Sequence, residues 1–242
     1  WAAINLIRSK VEDNKGMDLF NSDIIPSGAE DLAQHEDPVL EPANVLPKGL
    51  LGDLDKMRTT ACGQIVDSAE RHNEPGKFTA FLGWEWSSIP TGVNLHRVVI
   101  SPNGAKEAKQ YLPFGSDQSQ YPEDLWSWLD ETAKASGSEF IAIPHNSNVS
   151  KGYMFPEVTL RGQPITVEYA RTRLAWEPVV EMTQIKGDSE THSELSPQDP
   201  FADFENYSFY LQNTPEEYRV SEGDFIRSGL RRGLEMENKL GV

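Results

Sequence analysis

Residues 122–148 read PEDLWSWLDETAKASGSEFIAIPHNSN, and the two halves of this stretch follow different periods. Leu125, Trp126, Trp128, Leu129 and Ala133 recur at helical spacing behind Pro122, and the pattern stops near Gly137. A first-turn proline, one apolar face and a closing glycine predict an amphipathic helix. Residues 140–144 are then apolar without polar alternation, the pattern of a buried strand. Helix followed directly by buried strand points to an α/β fold, layered or barrel-like. The strand stops on His145, followed by Asn146, Ser147 and Asn148.

Working outward, the same alternation holds on both sides. From Thr59, the apolar positions Cys62, Ile65, Val66 and Ala69 predict a helix stopped by Asn73, Pro75 and Gly76. Residues 78–84 predict a strand buried on both faces. A turn at Pro90, Thr91 and Gly92 leads to a second strand over residues 95–101. Beyond His145, residues 165–175 predict a helix, 178–185 a strand, and 224–240 a closing amphipathic helix. Residues 1–58, rich in acidic residues, Asn, Pro and Gly, read as an irregular excursion or insertion, with residues 59–242 as the α/β domain.

Composition narrows the function. The 242 residues carry a formal charge of −16 with a pI near 4.7. Phosphate backbones and anionic lipid surfaces select clustered Lys and Arg, so neither nucleic acid nor membrane is an expected partner. No apolar stretch reaches the roughly 18 residues of a membrane span. Cys62 is the single cysteine, which excludes an internal disulfide and a thiolate metal cage. The compartment and oligomeric state stay open, with periplasm or secretion favoured over cytoplasm.

In α/β proteins chemistry gathers past the carboxyl ends of strands. That rule selects Glu85, His145, and the segment holding Lys186, Asp188 and Glu190. A turn centred between Pro90 and Thr91 sets Glu85 directly opposite His96 in an antiparallel pair, with Cβ atoms about 5 Å apart. A carboxylate and an imidazole at that separation can share a metal ion. Arg97 points to the opposite face by alternation, which favours a structural ion pair. His35 and His72 read as surface residues.

Several phrases in order resemble a known family. They are Gly76-Lys-Phe-Thr-Ala-Phe-Leu-Gly-Trp-Glu85-Trp, Asn94-Leu-His96-Arg97, Pro122-Glu-Asp-Leu-Trp126 and Ile143-Pro-His145-Asn-Ser-Asn148. Glu177-Pro, Gln184-Ile-Lys-Gly-Asp-Ser-Glu-Thr-His192, Ser196-Pro and Phe201-Ala-Asp-Phe-Glu205 continue the series. Together they resemble the bacterial domain family DUF3604. That resemblance implies kinship with the polymerase and histidinol phosphatase (PHP) superfamily, with its distorted TIM-like (β/α)7 barrel and two or three divalent metal ions, Zn, Mn or Fe. Glu85, His96 and His145 match the places of a bridging Glu and two His ligands. The His-x-His, Asp-His and Asp-x-His motifs of PHP sites do not occur in these 242 residues, so the chain is expected to be the central part of a longer barrel, incomplete at both ends.

The expected activity is therefore a metal-dependent hydrolase, phosphoesterase-like, acting on a small anionic substrate. Glu85, His96 and His145 are the expected ligands. Arg97, Asn146 and Lys186 are candidates for holding substrate, and Glu190 and His192 for moving protons. Two rivals remain. One is a glycoside hydrolase using a carboxylate pair such as Glu85 and Glu181, with Trp84, Trp86, Trp126 and Trp128 stacking on sugars. The other is a non-catalytic barrel domain that only binds ligand.

Overall fold

The computed structural model of the protein describes residues 54–210 and 217–241. Helix α1 spans Leu54–His72 and starts ahead of Thr59, where the sequence pattern first sharpens. Residues 1–53 of the expected excursion lie outside the described residues. Strands β1 (Leu82–Trp86), β2 (Arg97–Ser101) and β3 (Ile141–Pro144) form one sheet in the order β1-β2-β3. Between β2 and β3 come the short helix α2 (Ala105–Ala108) and helix α3 (Pro122–Ser136). Helix α4 (Val167–Trp176), a small hairpin of β4 (Thr183–Gln184) and β5 (Gly187–Asp188), and helix α5 (Ile226–Leu240) complete the fold.

Helix α3 forms as its sequence predicts. Pro122 occupies its first turn, and Gly137 ends it with a left-handed φ of 75° that a Cβ would resist. Its apolar stripe packs on one face of the sheet, where Leu125 and Leu129 meet Trp86, Val99, Phe140 and Ala142. Trp84 and Trp128 close the edge of this core, ring centroids 5.7 Å apart and nearly perpendicular. Trp126 is buried, and its indole N–H donates to Glu177. Trp84, Trp86, Trp126 and Trp128 thus all sit in or against the packed interior.

The barrel expectation is not met. A (β/α) barrel needs successive strands to run parallel, whereas β2 runs antiparallel to both of its neighbours. Among the described residues the sheets are antiparallel, with three and two strands, and none closes on itself. The fold is mixed α/β. Strand β1 is also shorter and less buried than expected: it starts at Leu82, and Phe78 and Phe81 are exposed. Among the described residues it is an edge strand, paired only with β2. The predicted strand over 178–185 contributes only Thr183–Gln184, and Val179, Met182 and Ile185 of that run are exposed.

The antiparallel order has one consequence for chemistry. Strands β1 and β3 share a direction, so their carboxyl ends and the amino end of β2 meet at the same edge of the sheet. Glu85, His96 and His145 all belong to that edge. No described helix is long and apolar enough to cross a membrane.

Candidate metal centre

Register explains how the three residues meet. Glu85 pairs with Val98 rather than with His96, two residues from the expected partner. Side chains alternate with a period of two, so this shift leaves Glu85 and His96 on the same face, now as diagonal neighbours. The β2–β3 register, continued past Arg97↔Pro144, sets His96 opposite His145, and the His145 N–H donates to the His96 carbonyl at 3.3 Å. The loop from β1 to β2 is fastened by the Ser88 hydroxyl, which donates to the Gln120 carbonyl at 2.7 Å.

A single carboxylate oxygen gathers both imidazoles. Glu85 Oε1 lies 2.8 Å from His96 Nδ1 and 3.1 Å from His145 Nε2. The ring centroids are 5.7 Å apart at 77°. One ligand atom from each of the three residues falls within 4.8 Å of the others, and this is the group among the described residues that can hold a metal ion. Donors around a tetrahedral divalent ion lie about 3.4 Å from one another, so little movement is needed to accept one. His96 Nε2 and His145 Nδ1 are buried without a hydrogen-bond partner. Buried polar atoms are ordinarily satisfied, so these two nitrogens are exceptions among the described residues.

Electrostatics favour the ligand forms. Burial, with help from His145 and Lys186 and against the pull of Glu85, lowers the His96 imidazole to about 4. It is therefore neutral near pH 7, as a metal ligand must be. Burial pushes the Glu85 carboxyl up, but the charges and hydrogen bonds of the two histidines together outweigh it and hold it below its ordinary value. Glu85 stays ionised. One carboxylate oxygen and two imidazole nitrogens suit a borderline cation such as Zn.

Residues 33–242 match the model of the family described as protein of unknown function, DUF3604. The chain belongs to the DUF3604 family. No curated protein and no solved structure matches it. In this DUF3604 protein the other residues singled out from sequence are distributed unevenly around the cluster.

Lys186 sits in the turn between β4 and β5, near enough for its charge to depress His96. Asn146 follows His145 directly, with a left-handed φ of 54° and a buried carboxamide whose two polar atoms have no partner. Asn enters the left-handed region more readily than most residues, and a buried carboxamide without partners is an exception to ordinary pairing. The remaining three candidates are engaged elsewhere. Arg97 is 1% exposed on the face that meets α3, its Nε donating to Glu177 Oε1 at 2.8 Å. Glu190 accepts from Arg227, and the His192 ring lies beside Phe225. Glu181 accepts from Gln184 and is not in the cluster.

Two features were not singled out by sequence. Glu177 is a buried hub, taking Arg97 and Trp126 on Oε1 and Arg173 on Oε2. Asn148 is a buried tie between the loop after β3 and the β4–β5 hairpin. The signal available for Asn148 was the run of three polar residues after a buried strand. A cavity of about 860 Å³ is lined by residues including Tyr121, Gly152, Arg161 and Gly223, with none from the cluster. The chemistry of the cluster outweighs that volume, because the cavity holds no comparable convergence of ligand atoms.

Proposed function

We propose that the protein is a metal-dependent hydrolase acting on a phosphoester or related anionic ester. The observation that carries this reading is the shared Glu85 oxygen between two imidazoles, with His96 neutral and both outer ring nitrogens unpartnered. The order of these residues, which resembles that of PHP metalloenzymes, favours the same assignment. A divalent ion in such a site supplies a nucleophile from water near neutral pH and polarises the oxygen under attack. Glu85, His96 and His145 would hold the ion, and the chain's remaining contribution is orientation. Lys186 brings a positive charge to the rim, suited to an anionic substrate oxygen. Asn146 offers a donor and an acceptor beside His145.

The test is hydrolysis of p-nitrophenyl phosphate and its diester analogue by the full chain with added Mn or Zn. The reading predicts turnover that is abolished by chelator and reduced at least about a hundredfold in Glu85→Ala and His145→Ala, the scale on which ligand loss disables a metal site. Turnover indifferent to chelator and to both substitutions rules it out.

A further inference from the structure

Behind the cluster, Asn148 satisfies every polar atom it has. Its side-chain Nδ2 donates to the Lys186 carbonyl at 2.9 Å, and its Oδ1 accepts from the Ser189 hydroxyl at 3.0 Å. Its backbone N–H donates to the same hydroxyl oxygen at 3.2 Å, and its carbonyl accepts from the Tyr218 hydroxyl at 3.0 Å. Asn148 is 1% exposed and Ser189 2%. These bonds grip the β4–β5 hairpin at its turn and just past its end. The opposite side is held too: the Asp188 N–H donates to the Glu205 carbonyl at 3.0 Å. At Gly187, where φ is 97°, a Cβ would lie 2.4 Å from that of Tyr207.

The backbone of Lys186 is therefore fixed, while its ammonium forms no ion pair among the described residues. A cation near a site for a second cation is repelled by it, and an anion between them relieves that repulsion. The loop that carries His145 also carries Asn148, so one short segment sets the spacing between His145 and the backbone of Lys186.

We propose that Asn148, through its carboxamide and the Ser189 hydroxyl, is a positioning residue that holds Lys186 beside the Glu85–His96–His145 cluster to receive an anionic group of the substrate. This rests on the hydrolase reading above and adds the device that places its anion-binding charge.

The experiment uses Mn and inorganic phosphate as probes. Calorimetry measures Mn binding by the full chain and then phosphate binding by the Mn-loaded protein. The parent is compared with Lys186→Met, Asn148→Ala, Ser189→Ala and the Asn148→Ala/Lys186→Met double variant. Mn binding persists in the single variants. Lys186→Met and Asn148→Ala each weaken phosphate binding about tenfold, the scale of one charge-assisted hydrogen bond. The double variant is no weaker than Lys186→Met alone, because both changes remove the same contact. Ser189→Ala, which deletes one hydroxyl, weakens phosphate in the same direction and carries the test if Asn148→Ala does not fold. Phosphate affinity that falls in Lys186→Met but stays at the parent level in the Asn148 or Ser189 variant overturns the positioning role and leaves the hydrolase reading standing. So does a double variant in which the two losses add. A parent that binds phosphate regardless of Lys186 overturns the positioning role alone, whereas a parent that binds no Mn overturns the hydrolase reading and the positioning role with it.

Discussion

Replacing Asp224 by asparagine should change how stability responds to pH. Asp224 is fully buried in the short 3-10 turn Glu222–Asp224, and its Oδ1 accepts from the Ser150 hydroxyl at 2.9 Å and the Gly152 N–H at 2.6 Å. It thereby ties the loop after β3 to the start of α5. Its Oδ2 has no partner, and burial pushes the carboxyl up from 3.8 to about 7. A group whose pKa is raised by folding binds its proton more tightly in the native chain. Its contribution to stability is full below the unfolded value and is lost as pH rises through the folded one. Between those limits the slope is about −1.4 kcal/mol per pH unit, or about 4 kcal/mol across the window.

His96 acts in the opposite sense. Burial lowers it from 6.5 to about 4, so its contribution is present above 6.5 and is lost as pH falls through about 4. That slope is about +1.4 kcal/mol per unit, and between pH 4 and 6.5 the two offset each other. Asp224→Asn removes one of them. Urea unfolding of parent and variant, with chelator present, at about pH 4.5, 5.5 and 6.5 measures the difference in stability at each pH. The variant's stability relative to the parent should rise by about 1.4 kcal/mol per pH unit. A difference that does not change with pH would refute the reasoning.

Two further outcomes follow from the core. Glu177→Gln leaves the Arg97 guanidinium 1% exposed without its counter-charge, and should cost about 3–5 kcal/mol in urea unfolding at neutral pH; a loss under 1 kcal/mol would mean that the pair is relieved by solvent. Leu129→Ala, at the centre of the contact between α3 and the sheet, should cost about 2–5 kcal/mol by the same assay while leaving Mn binding intact.

Local signals were the legible part of the fold. Helix α3 could be bounded from Pro122 and Gly137 because each acts on its own backbone, whatever surrounds it. Alternation likewise separated Arg97 from His96, and the structure puts the first against Glu177 and the second against Glu85. What sequence did not reveal was strand direction. An apolar run such as residues 140–144 reads as buried, but only one face is: Phe140 and Ala142 pack in the core with α3 while Ile141 is exposed, and the neighbouring strand is antiparallel rather than part of a parallel barrel wall. The run over 178–185 shows the converse error. Its apolar residues suggest a strand, yet pairing decides a strand, and Ile185 ends up 97% exposed at a hairpin turn.

For the site, the Glu85 and His96 pairing survived a wrong turn centre because a two-residue register shift preserves the face. The place of His145 opposite His96 could not be read in advance, since it depends on a pairing between segments far apart in sequence. Glu177 and Asn148 escaped notice for the same reason: each is defined by partners that only the folded chain brings near.

Metal titration of the full chain tests the central claim most directly. Chelator-treated, dialysed protein is titrated with Mn or Zn by calorimetry, and the bound metal is quantified by elemental analysis. If Glu85, His96 and His145 form a metal centre, the parent takes up at least one ion per chain, and Glu85→Ala and His145→Ala abolish that uptake while still unfolding cooperatively in urea. Uptake that is absent in the parent, or unchanged in both variants, contradicts it.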